Sequence, residues 1–123
     1  MKLNYLLFAL VFGLFATACN SDDEAEPETP ATCETTGLTY TNDIAAIING
    51  SCAVAGCHNT GTTSTFPMGT FAETSVAVGF GRIIGSINHE MDFLPMPYPE
   101  GAEKLEQCTI DKITAWINDG APE

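Results

Sequence analysis

The chain has 123 residues, 45% of them hydrophobic and 16% charged, which fits one small domain plus a tether. Four basic residues stand against sixteen acidic ones, and a formal net charge of -12 argues against nucleic acid as a partner. Domains of this size bury little surface and lean on disulfides, metals or a cofactor, so the five cysteines are the residues to account for.

Residues 1–18 read as a secretory signal, with Lys2 at the head, an apolar run from Leu6 to Phe15, and small Ala16, Thr17 and Ala18 before Cys19. The run is too short for a stable membrane span. Small residues followed by cysteine resemble the bacterial lipobox, in which the cysteine receives diacylglycerol and becomes the mature N-terminus. The resemblance assigns lipidation to Cys19 and predicts an exported lipoprotein anchored to a membrane. Ala16 stands where leucine is commoner, and an ordinary secreted protein cleaved near Ala18 is the alternative. Asn20-Ser21-Asp22-Asp23-Glu24 resembles the acidic export signal that follows the lipid cysteine in Bacteroidota lipoproteins, which points to the outer membrane. Losing Lys2 with the signal leaves three basic and sixteen acidic residues, a net charge of -13.

Residues 19–32 are rich in Asp, Glu, Pro, Ser and Ala, and form a flexible acidic tether because they cannot bury enough apolar surface to order. Part of the charge imbalance is therefore a solvated tether and not an acidic face. The folded domain spans 33–123. Asn42-Asp43 before Ile44-Ala45-Ala46-Ile47-Ile48 predicts a short capped helix that stops at Gly50, just before Cys52.

Gly61 to Ser64 predicts a loop. Thr70 and Glu73 stand at capping-box spacing before the apolar stretch Val76 to Ile87, which predicts a middle helix weakened by Gly79, Gly81 and Gly85. From Asn88 to Gly101, Pro95, Pro97 and Pro99 forbid regular structure and hold an extended loop that contains Met91 and Met96. Ile110, Ile113 and Ile117 recur at helical spacing with Trp116 beside them, and Gly120 and Pro122 supply a stop, which predicts a C-terminal helix. The fold class is mainly α, with three or so helices and long loops.

The chemistry rests on Cys52-Ala53-Val54-Ala55-Gly56-Cys57-His58. Haem attachment normally uses Cys-x-x-Cys-His, in which two thiols add to the vinyl groups on one edge of the macrocycle and the adjacent imidazole binds iron. Here four residues separate the cysteines. The Cys57-His58 half is intact, and the extra residues fall where a bulge at small residues and Gly56 can absorb them. Cys52 as a disulfide partner is the competing reading.

From Tyr40 to Glu123 the chain resembles the small cytochrome c-like domains of exported Bacteroidota proteins. The resemblance is carried by Asn42-Asp43-Ile44 with Ile47-Ile48, the four-residue insert before Gly56-Cys57-His58-Asn59, Met96-Pro97, and Trp116-Ile117-Asn118-Asp119-Gly120-Ala121-Pro122. It implies a cytochrome c-like fold wrapped around one covalent haem c, with Cys52 and Cys57 as thioether sites, His58 as the proximal ligand and Met96 as the second axial ligand. The residues themselves agree on Met96, because Pro95 and Pro97 restrict the backbone on both sides of its sulfur. Met91, Met68 and His89 are rivals for that position. Met68 also reads as a core filler, and His89 also reads as a partly exposed loop residue. Arg82 is either a propionate partner or a solvated surface charge.

Export favours oxidised cysteines, and cytochrome c folds bring the first and last elements together, so a Cys33–Cys108 disulfide is expected, with Cys52–Cys57 as the competing pairing. No acid/base pair or nucleophile stands elsewhere in the chain, and Met ligation leaves iron no open position. The expected function is therefore electron transfer without enzymatic activity, to redox partner proteins that an acidic surface would select as basic. The alternative is a haem-free, disulfide-stapled binding module displayed as a lipoprotein. A zinc site lacks a convincing fourth ligand.

Overall fold

The computed structural model describes residues 32–61, 66–99 and 101–123. These belong to one of two compact units, Thr32–Glu123. The signal segment, Cys19, nearly all of the tether and most of the expected loop at 61–64 lie outside the described residues.

The described residues are mainly helical, with no strand among them. A π-helical turn, Tyr40–Ile44, runs directly into α1, Ala45–Ser51; α2 spans Phe71–Gly79, α3 Ile83–Asn88 and α4 Gln107–Asn118. No helix of the described residues is long and apolar enough to cross a membrane.

The first helical segment starts earlier than Asn42-Asp43 suggest, and its cap is Thr39. The Asn42 N–H donates to Thr39 Oγ1 at 3.3 Å, while the Thr39 N–H donates to Asp43 Oδ2 at 2.9 Å. Asp43 and Ile44 both donate their N–H to the Thr39 carbonyl, at 3.1 and 3.2 Å, which widens the first turn. Burial of Tyr40 favours the early start, because its ring packs 5.2 Å from Phe71 and 6.0 Å from Trp116.

The expected middle helix is two helices. Thr70 caps α2 by accepting the Glu73 N–H at 3.2 Å, as the capping spacing implies, but the Glu73 carboxylate accepts from the Thr60 hydroxyl at 2.8 Å instead of returning to the cap. Gly81, at φ +69°, then turns the chain before α3. Thr74 on α2 is fully buried yet satisfied, its hydroxyl within 2.9 and 3.0 Å of the Thr70 and Met68 carbonyls.

The core forms two linked clusters. Ile44, Ile48 and Trp116 are fully buried with Leu38, Tyr40, Met68 and Ala77, and Ile87, Ile110 and Ile113 form the second cluster. Ile47, Ile83 and Ile117 pack against both. On α4 the tightest positions are Ile110, Ile113 and Trp116, with Ile117 half-buried at the edge of the stripe. The Pro122 carbonyl accepts both the Trp116 Nε1–H at 2.8 Å and the Tyr40 N–H at 2.9 Å, which joins the C-terminus to the first helical turn. A disulfide between Cys33 and Cys108, with Cα atoms 5.6 Å apart, ties the segment before that turn to the head of α4.

Candidate functional site

The motif begins where α1 ends. The Ile48 carbonyl accepts the N–H of both Cys52 and Ala53, at 2.8 and 2.7 Å, so Cys52 is held in the last helical turn. The chain then closes on itself: the Cys57 N–H donates to the Val54 carbonyl at 3.0 Å, and the His58 N–H donates to the Cys52 carbonyl at 3.1 Å. The four residues between the cysteines are thus enclosed in a loop whose two ends are bonded to each other, with Gly56 at φ +82° making its tight bend.

Cys52 and Cys57 are free thiols. Cys52 is half-buried and packs against the main core, and burial, followed by electrostatic interaction with the neighbouring Cys57, pushes its thiol up to about 11. It therefore stays protonated at neutral pH. Cys57 is exposed.

His58, whose N–H is already bonded to Cys52, is fixed at two further points. Its carbonyl accepts the Met68 N–H at 2.6 Å, and its Nδ1 is 2.6 Å from the Phe66 carbonyl. A carbonyl only accepts, so Nδ1 carries a hydrogen, which in the neutral imidazole leaves the lone pair on Nε2. Met68 is the buried anchor of this arrangement, with its side chain in the main core.

Met96 is half-buried, and its N–H donates to the Ser86 carbonyl on α3 at 3.0 Å. His89 ends α3 in the left-handed region at φ 58°, with its Nε2 3.0 Å from the Met96 carbonyl. Met91 is fully exposed. Phe93 packs its ring so closely on α3 that a Cβ added at Gly85 would lie 2.5 Å from it, and the exposed Arg82 guanidinium stands 5.2 Å from the Phe93 ring centre.

The donor chemistry suits a haem: two free thiols and an oriented imidazole in one loop, and a thioether in another. Val54, Phe80, Leu94 and Tyr98 are exposed apolar side chains on or next to these segments, and Phe80 packs on Phe66 at 4.7 Å. The hollow of about 130 Å³ lined by Phe66, Pro67, Glu73, Val76 and Ala77 is smaller than a usual ligand pocket. A larger hollow of about 400 Å³, between Cys33, Thr35 and α4, contains no candidate ligand. Among the described residues no three His, Cys, Asp or Glu side chains converge as a metal site.

Sequence reasoning missed the carbonyls of Phe66 and Ser86, since a backbone acceptor leaves no mark in residue type. In the sequence Gly85 marks only a weak helix position; its contact with Phe93 is tertiary. Compared with known proteins, the chain matches no family model, no curated protein and no solved structure.

Proposed function

We propose that this protein carries one covalently attached haem c and passes single electrons between partner proteins at a membrane surface. The observation that carries the reading is the hydrogen bond from His58 Nδ1 to the Phe66 carbonyl, on an imidazole that directly follows a cysteine pair. Metal-ligating histidines are held by such a bond on the second nitrogen, which fixes the tautomer and the ring orientation. Cys52 and Cys57 would hold the group by thioethers, and His58 Nε2 and the Met96 thioether would ligate its iron. The bound group supplies a one-electron ferric/ferrous couple, and a Met ligand raises its potential relative to two histidines.

The remaining work belongs to the chain. The closed loop from Cys52 to His58 keeps both thiols and the imidazole on one short segment, the core behind Cys52 excludes water, and α3 holds Met96. Two side-chain ligands would leave the iron no open position for substrate, so the proposed role is that of a carrier. Its fold is a small cytochrome c-like arrangement of helices and loops around the haem. Lipidation at Cys19 would keep the domain at the outer membrane, and the excess of acidic residues favours a basic redox partner.

The test is an absorption spectrum of protein expressed with c-type maturation machinery that accepts a four-residue insert, followed by acidified-acetone extraction. A Soret band that stays with the protein is the expected result. A colourless protein whose Cys52 and Cys57 both react with a thiol reagent after unfolding and reduction would overturn the reading and leave the disulfide-stapled display module.

A further inference from the structure

We infer that His89 is a positioning residue that fastens Met96 through its backbone carbonyl, and so sets how firmly the Met96 thioether stays on iron; the inference rests on the haem reading above. Pro95 and Pro97 narrow the rotations around Met96 but donate no hydrogen bond, so they stiffen the segment without attaching it to anything. Attachment comes from α3. The Met96 N–H donates to the Ser86 carbonyl at 3.0 Å, and the Met96 carbonyl lies 3.0 Å from His89 Nε2. Both backbone polar groups of the one residue whose side chain is the candidate ligand are thus taken by a single helical turn.

His89 reaches that carbonyl because of its own backbone. At φ 58° it reverses the chain at the end of α3, where its N–H donates to the Ser86 carbonyl at 3.2 Å and the Glu90 N–H donates to the Gly85 carbonyl at 3.0 Å. The carbonyl can only accept, so Nε2 carries the hydrogen and is committed to Met96. The packing of Phe93 on Gly85 fixes the middle of the same loop, which leaves the His89 bond as the side-chain tie at its far end.

Three forms of the haem-loaded protein test this: wild type, His89→Asn and His89→Gln, each first checked by mass for covalent haem. Asn tolerates the left-handed backbone but is too short to reach the carbonyl, whereas the Gln amide nitrogen reaches as far as Nε2. Added imidazole, a competitor for the methionine position, is titrated into the ferric protein and followed by absorption. Loss of one net hydrogen bond should let imidazole displace Met96 at about fivefold lower concentration in His89→Asn, and His89→Gln should return to within about twofold of wild type. The reduction potential should fall in His89→Asn and recover in His89→Gln.

A purely structural role would lower the melting temperature without moving the imidazole equilibrium or the potential. Wild-type values for both in His89→Asn therefore overturn the inference. So does a Met96→Ala protein whose spectrum matches wild type, since His89 would then be the ligand itself. In the wild type alone, a His89 Nε2 proton protected from exchange supports the bond, and rapid exchange with solvent overturns it. A wild type without covalent haem overturns the haem reading and this inference together, while the other adverse outcomes overturn this inference alone.

Discussion

Where the first helical turn meets α4, order comes from side chains removed from water: Ile44, Ile48 and Trp116 have no exposed surface, and Tyr40 closes the gap at 6.0 Å from the Trp116 ring. In the two loops that hold the candidate ligands, at 52–61 and 89–99, every residue is half-buried or exposed. Order there comes from single hydrogen bonds to particular carbonyls: Cys52 to His58, Phe66 to His58, Ser86 to Met96 and Met96 to His89. The difference is one of redundancy. A core cluster spreads its free energy over many contacts, whereas each candidate ligand in the loops rests on two or three hydrogen bonds. A damaged core should therefore lower global stability, and a damaged loop bond should change the site while the helices stay folded.

The comparison can be broken first at Trp116. Trp116→Ala removes a fully buried ring and its bond to the Pro122 carbonyl, and should lower unfolding free energy by about 3–5 kcal/mol in a urea titration. Replacing Cys33 and Cys108 together with serine opens the link between the first segment and α4. The expected loss is about 2–5 kcal/mol, read the same way, with the folded circular dichroism spectrum retained.

A third prediction concerns alkaline pH. In haem-free protein the folded Cys52 thiol keeps its proton to about 11, above its usual value of 9.0. The folded state then binds more protons than the unfolded state between those values, so the contribution is whole below the lower one and is lost as pH rises through the upper one. The expected loss is on the order of 2 kcal/mol, and it should vanish in Cys52→Ala and in protein whose Cys52 is a thioether. The smallest global effect should follow Gly85→Ala. The new Cβ would meet the Phe93 ring at 2.5 Å, but alanine also favours the helix, so the net cost should be about 1 kcal/mol. Amide exchange should nevertheless rise locally between residues 90 and 97, which is where the two regions differ most clearly.

The helices were readable from residue order to the extent that they are amphipathic. The α4 stripe of Ile110 and Ile113 with Trp116 repeats at helical spacing, and Gly120, at φ +93°, supplies the stop. The cap at Thr70 was equally local. The start of the first segment was not, because Thr39 gains its role from the burial of Tyr40 against Phe71 and Trp116, far along the chain. The division of the middle helix was foreshadowed by its glycines, but only Gly81 adopts the positive φ that makes the turn between α2 and α3.

For the site, residue order alone determined which side chains could take part: Cys52, Cys57 and His58 in one short stretch, and Met96 between two prolines. These are matters of chemical type and spacing, which are written directly in the chain. Tertiary structure decided how each is held. It closed the insert by bonding Cys52 to His58, selected the Nδ1–H tautomer of His58 through a carbonyl eight residues away, buried Met68 in the core, and bound Met96 to both Ser86 and His89. The physical reason is that every residue except proline offers the same backbone donor and every residue the same acceptor, so which carbonyl meets which imidazole depends on where the helices bring the backbone, and not on the letters of the residues that supply it.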